Sequence, residues 1–230
     1  MTTTLITGAN KGLGYETARR LIAEGHTVWI GARDESRGRR AAEELGARFV
    51  QLDVTDDASV AAAATTVGSA GGLDVLVNNA GISGPQTEAA ALTGADALTV
   101  LDTNVVGIVR MTHAFLPLLQ ASAAPRIVNV TSGLGSFAAV HDATRIESSV
   151  VAPLYTASKS AVTMLTVQYA KALPGIRVNA ADPGYTATDL NGHSGPQTVT
   201  EGTDAIVELA LLGPDGPSGT FIDRSGPAPF

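Results

Sequence analysis

Short runs of branched aliphatic residues alternate with Ala- and Leu-rich amphipathic stretches along the whole 230-residue chain, and this alternation restricts the fold more than any other feature. Strands are predicted at Thr3–Ile6, Thr27–Ile30, Ala47–Leu52, Leu73–Asn78, Arg126–Thr131, Arg177–Ala180 and Gly219–Ile222. Helical periodicity fills the intervals at about 12–24, 35–45, 56–69, 94–120, 153–173 and 201–212. Segments such as Val75-Leu-Val77 and Ile127-Val-Asn-Val130 are apolar with little alternation, as strands covered on both faces are. The pattern predicts an α/β fold: a doubly wound parallel sheet of about seven strands with helices on both faces. No linker or internal repeat divides the chain, so residues 1–230 read as one domain, long enough to bury its own core. The Gly/Pro-dense tail from Gly213 to Phe230 is expected to add one strand and then fray or run along the surface.

Composition removes several classes of function. Lys and Arg number 15 against 22 Asp and Glu, a formal net charge of −7, and such a chain binds phosphate backbones poorly. Nucleic acid is therefore not an expected partner. The absence of cysteine leaves no disulfide framework, thiolate metal site or thiol nucleophile. His26, His113, His141 and His193 never fall within one helical turn of each other, so no metal is expected. No apolar run is long enough to span a bilayer, and the amino terminus reads as a strand entering a glycine turn rather than a leader. A soluble, cytoplasmic protein without membrane contact is the expectation.

The first strand runs directly into Thr7-Gly8-Ala9-Asn10-Lys11-Gly12-Leu13-Gly14 and then a helix. Glycines at such a turn let the backbone approach a pyrophosphate, and the helix amino terminus offers amide donors. A tight turn could use glycine only for its positive φ, but the place of this one, after the first strand and opening a helix, favours a dinucleotide. A Walker-type loop is excluded, because no Gly-Lys-Ser/Thr follows. Sites that select NAD tend to put a carboxylate near the end of the second strand, on the adenosine ribose. Ala32 stands there, followed by Arg33, with Arg37 a turn later and Lys11 in the glycine loop. These cations suit a 2′-phosphate and predict NADP(H); a solvated helix start, with Asp34 and Glu35, is the plainer alternative.

Four more motifs follow in order: Asn78-Asn79-Ala80-Gly81, Thr131-Ser132-Gly133, Tyr155-Thr-Ala-Ser-Lys159 and Pro183-Gly184. With the glycine loop, Asp53 and Asn104, they make the chain resemble the short-chain dehydrogenase/reductase family over essentially its whole length. The likeness is greatest to the NADPH-dependent carbonyl reductases, which share a Rossmann-type fold. Tyr155 and Lys159, four residues apart on a helix, share one face. An ammonium near a phenol favours the phenolate and is expected to lower its pKa from about 10. Tyr155 could then exchange a proton with a carbonyl oxygen that Ser132 orients. The resemblance adds that Lys159 holds the nicotinamide ribose and that Asn104 maintains a water-linked proton path.

Further cofactor positions follow from the same resemblance. Gly8, Asn10, Lys11, Gly12, Leu13 and Gly14 form the glycine loop, and Leu52, Asp53 and Val54 stand beside the adenine. Asn79, Ala80 and Gly81 line the adenosine ribose and pyrophosphate, Pro183, Gly184, Thr186 and Thr188 cover the nicotinamide, and Asn104, Thr131, Tyr155 and Lys159 are expected cofactor contacts as well. The expected reaction is NADPH-dependent reduction of a small or medium ketone or aldehyde to an alcohol. An NADP-linked alcohol dehydrogenase working oxidatively, or a catalytically silent NADP-binding regulator, are the alternatives. Intact Ser132, Tyr155 and Lys159 argue against the silent one. The resemblance also implies a homo-oligomer, a dimer or tetramer, with a monomer as the alternative. Two departures stand out. Ser132 and Tyr155 are 23 residues apart, which leaves a polar insertion, Val140–Ser149, beside the active-site residues, either a substrate loop or a tolerated surface insertion, and flanked by the helices of the family's common oligomer contact. Asp189–Val199 is Gly/Ser/Pro-rich and predicts a reduced lid over an open pocket.

Overall fold

In the computed structural model, which describes residues 1–230, the strands are β1 (Thr3–Thr7), β2 (Thr27–Ala32), β3 (Arg48–Gln51), β4 (Val75–Asn78), β5 (Arg126–Val130), β6 (Arg177–Ala181), β7 (Phe221–Asp223) and β8 (Gly226–Pro227). The helices are α1 (Gly12–Ala23), α2 (Glu35–Leu45), α3 (Asp57–Ser69), α4 (Gly94–Leu101), α5 (Gly107–Gln120), α6 (Phe137–His141), α7 (Pro153–Ala172), α8 (Val199–Gly202) and α9 (Asp204–Ala210). The strands form one sheet in the order β3-β2-β1-β4-β5-β6-β7-β8, parallel from β3 to β7. The winding reverses between β1 and β4, so a crevice opens beyond their carboxyl ends, where ligands of doubly wound sheets sit.

Both sheet faces are buried, which accounts for the strands' continuous apolar runs. On one face Ile6, Val28, Ile30, Val77 and Val128 pack with Ala18, Leu21, Ile206 and Leu209. On the other, Leu5, Trp29, Leu76, Ile127 and Val178 pack with Val60, Val67, Met111, Phe115 and Leu119. No helix is long and apolar enough to cross a membrane.

Two expectations need correction. The helix predicted over 94–120 is α4 and α5 joined by a π-helical segment, Asp102–Val106. The tail does not fray: β8 pairs antiparallel with β7, adding an eighth strand, and the Phe230 ring rests 6.0 Å from that of Phe221. The insertion is structured, taking in the last two residues of α6 and a 3-10 turn at Ile146–Ser149, and in α6 just before it the amide of Ala138 donates to the Phe230 carbonyl at 3.1 Å. The tail thus braces α6, the helix that leads into the insertion.

Candidate active site

Ser132 follows β5, and the turn Gly133–Gly135 lies flat on the amino-terminal part of α7. A Cβ on Gly135 would sit 2.6 Å from the carbonyl carbon of Lys159, so only glycine permits this approach. The Ser160 hydroxyl donates to the Gly135 carbonyl at 3.0 Å, and Thr131 Oγ1 donates to the Lys159 carbonyl at 3.0 Å. These bonds fix α7 against the end of β5. They place Ser132 beside the half-buried Tyr155 and bury Lys159. Lys159 Nζ lies 5.6 Å from the centre of the Tyr155 ring and donates to the Val130 carbonyl at 2.9 Å.

Asn104 sits inside the π-helical segment, where the extra residue per turn re-aims side chains. Its side chain accepts from the Ile82 amide and donates to the Ile82 carbonyl, both at 2.9 Å. It also donates to Ser158 Oγ at 3.0 Å, and that hydroxyl donates to the Tyr155 carbonyl at 2.7 Å. Asn104 therefore ties the segment after Gly81 to the helix that carries Tyr155 and Lys159.

The electrostatics of the pair differ from the simple expectation. Burial pushes the Tyr155 phenol up to about 12; the Asp182 charge adds to this, and the Ser132 hydroxyl pulls the other way. Burial pushes Lys159 down to about 8, with Asp182 opposing. Desolvation dominates both groups, and Asp182 and Ser132 rather than Lys159 are the neighbours that act on the phenol, a balance that depends on packing rather than on spacing. Asp182 is itself buried, and its carboxyl accepts the Gly184 amide at 2.9 Å. Burial raises its pKa, and the nearby Glu147 and Asp223 raise it further. Asp182, Ser158, Ser160 and Ile82 were missed by sequence reasoning. Only the tandem glycines of Gly133-Leu-Gly135 hinted at the close approach.

Beside this group a cleft of about 790 Å³ runs over the carboxyl ends of the strands. Gly8, Asn10, Lys11, Gly12, Leu13, Arg33, Arg37, Leu52, Asp53, Val54, Asn79, Ala80, Gly81 and Thr188 all line it. Gly14 lies beneath, where a Cβ would meet Asn79 Nδ2 at 2.7 Å, so its role is close packing of α1. Thr131, Pro183, Gly184 and Thr186 stand outside the lining. The hydroxyls of Thr131 and Thr186 are turned inward, Thr186 donating to the Pro183 carbonyl at 2.7 Å. Asp53 uses Oδ1 to shape its own turn, accepting the Thr55 amide at 2.9 Å and hydroxyl at 2.7 Å.

The three cations are brought together but not equally free. Lys11 reaches the carboxylate of Asp189 at 2.5 Å, and Arg37 lies 3.5 Å from Asp34. Arg33 makes no ion pair within 4.0 Å. Ala32 is 2% exposed, so its methyl packs under α2 while Arg33 and Asp34 face the cleft. Asp34 is engaged as the cap of α2, accepting the Arg37 amide at 2.9 Å. The expected lid is short and folded back: a 3-10 turn at Asp189–Asn191, held by Lys11 and by Tyr185 bonded to Ser194 at 2.7 Å. An elongated cleft with a glycine turn at one end and free positive charge near its rim fits an anionic dinucleotide.

Comparison with known proteins bears on this site. The family model described as short chain dehydrogenase matches residues 2–198. A (−)-isopiperitenone reductase of Mentha piperita is 36% identical, covering 96% of this chain and 95% of that protein. A (+)-neomenthol dehydrogenase of Capsicum annuum is 32% identical over the same shares. Among solved structures, the NADPH-bound carbonyl reductase from chicken fatty liver superposes with a TM-score of 0.88 at 30% identity, covering 100% of this chain and 99% of that one.

Proposed function

The chain belongs to the short-chain dehydrogenase family, and from that premise we propose that it is an NADP(H)-dependent carbonyl reductase acting on a ketone or aldehyde. One observation carries the reading: Ser132, Tyr155 and Lys159 converge at the end of β5, next to a dinucleotide-sized cleft with an unpaired arginine. The reductases similar to it, one of them NADPH-bound, support the same reading.

When bound, the reduced nicotinamide would supply hydride. The chain's own part is proton transfer and orientation. Ser132 donates to the substrate oxygen and fixes the carbonyl. Tyr155 then releases its phenolic proton to that oxygen as negative charge develops there. The phenol, which burial keeps protonated up to about 12, is present in the acid form that carbonyl reduction uses. Lys159, buried beside the ring, stabilises the phenolate left behind and would hold the ribose hydroxyls of the cofactor. Asn104 keeps α7 in register through Ser158.

The test is oxidation of NADPH against a panel of activated ketones. Wild type is expected to turn over, and Tyr155→Phe to lose at least roughly 10²-fold in kcat with NADPH affinity nearly unchanged. A Phe variant close to wild type in kcat would remove Tyr155 from the acid role. A wild type inert towards every ketone would favour the silent regulator.

A further inference from the structure

The π-helical segment Asp102–Val106 needs holding, because a π turn is rare and an uninterrupted helix would be the simpler path for residues 94–120. The Asn104 side chain holds it on the side facing Ile82 and Ser158. Arg110, two turns further along, holds it on the other. Its Nη1 donates to Asp102 Oδ1, the first residue of the segment, at 2.7 Å. The same guanidinium donates to the Val54 carbonyl at 3.3 Å and to Asp57 Oδ1 at 2.9 Å. Val54 belongs to the turn that lines the adenine end of the cleft, and Thr103 of the π segment lines the same cleft. Val54 also packs on the start of α5, where a Cβ on Gly107 would meet it at 3.1 Å. The Arg110 side chain is only 19% exposed while its partners Asp57 and Asp102 are 86% and 41% exposed, so the guanidinium is the anchored part of the cluster and the Asp57 arm is open to solvent.

We infer that Arg110 is a positioning residue which locks the adenine-side turn and the Asn104 turn into one register, so that cofactor affinity and turnover both depend on it. A planar fork reaching a carboxylate on one element, a carboxylate on a second and a backbone carbonyl between them suits this role, whereas a lysine could satisfy only part of the set. The inference rests on the reading of Asn104 as part of the catalytic machinery.

Steady-state kinetics with NADPH and an accepted ketone test it. Arg110→Gln is expected to raise the KM for NADPH about tenfold and, at saturating NADPH, to lower kcat about fivefold. Arg110→Lys should fold readily and fall between wild type and Arg110→Gln in both constants. Asp57→Asn, which loses only the charge on the exposed arm of the fork, should lose less in both constants than Arg110→Gln. If Arg110 acts through Asp102, the double variant Arg110→Gln with Asp102→Asn should have a kcat no lower than the weaker single variant. Strictly additive losses, an unchanged kcat, or a lowered melting temperature with both constants intact would each overturn the inference. Asn104→Ala measured alongside separates the two claims. Lost turnover there with a normal Arg110→Gln overturns the role of Arg110 alone; full turnover in Asn104→Ala overturns the reading beneath it.

Discussion

Removing the Arg33 guanidinium should separate the two nicotinamide cofactors. Of the three cations on the cleft, Lys11 is paired with Asp189 and Arg37 with Asp34, while Arg33 makes no ion pair. A 2′-phosphate could therefore recruit Arg33 without breaking an existing interaction. Hydrogen bonds to charged groups contribute about 1.5–3 kcal/mol each. Complete loss of one such bond would weaken binding by about 10- to 150-fold. The pair Arg37–Asp34 is solvent-exposed, with side chains 70% and 51% exposed, and such pairs contribute about 0–1 kcal/mol. Arg37 can thus turn to the phosphate in place of Arg33, which puts Arg33→Ala at the lower end, about 10- to 30-fold for NADPH.

NADH lacks the phosphate, and its affinity should change less than about twofold. Equilibrium titration of both cofactors by their own fluorescence, repeated at two salt concentrations, would measure this. The NADPH preference should shrink with salt, since the charges that create it are exposed. Equal weakening of NADPH and NADH by Arg33→Ala, or no weakening of either, would show that this arginine does not read the phosphate.

Asp189→Asn should free Lys11 and tighten NADPH by up to about fivefold, the range of an exposed ion pair, with NADH unmoved; a parallel gain for NADH would point to lid closure instead. Deleting Val140–Ser149 removes Glu147, whose carboxylate lies within 2.5 Å of where a Gly133 Cβ would be, next to Ser132. The deletion should therefore alter relative kcat/KM across a ketone panel more than NADPH affinity, and uniform kinetics across the panel would return the segment to an inert surface insertion.

Local features were legible in the sequence because short-range pattern decides them. Ile127–Val130 reads as a doubly covered strand from its residues alone, and the Tyr155–Lys159 spacing forces a shared helical face. The π segment was not legible, since the apolar stripe of residues 94–120 is compatible with an unbroken helix and only the bonds of Asn104 and Arg110 mark the break. β8 was hidden for a related reason: Gly226-Pro227 has no strand propensity and pairs only because β7 is beside it. Contacts such as Lys11–Asp189, 178 residues apart, come from topology. The charge state of the site was least accessible. Spacing shows that an ammonium is near a phenol, but not that burial disfavours the charged form of each, nor that Asp182 stands close by.

Lys159 gives that last point a stability consequence. It is 5% exposed, donates to the Val130 carbonyl, and has no carboxylate within ion-pair distance. An ordinary lysine keeps its proton to about 10.4; burial brings this one down to about 8. Between these values the unfolded chain binds a proton that the folded chain does not, so stability rises with pH through that window. Below it, the buried charge costs the fold roughly 3 kcal/mol, at about 1.4 kcal/mol per unit. Lys159→Met fills similar volume without charge and forfeits one hydrogen bond of about 1 kcal/mol. The variant should then be more stable than wild type by about 1–3 kcal/mol at pH 7, a rise of a few degrees in Tm, and inactive. The advantage should vanish as the pH approaches about 10.4, because wild-type Lys159 is by then neutral in the fold. A site that sacrifices stability for a poised ammonium predicts this trade. Denaturant unfolding of both proteins from pH 7 to pH 10 would settle it: a stability difference that stays constant across the range would mean the lysine is not held against its preferred charge.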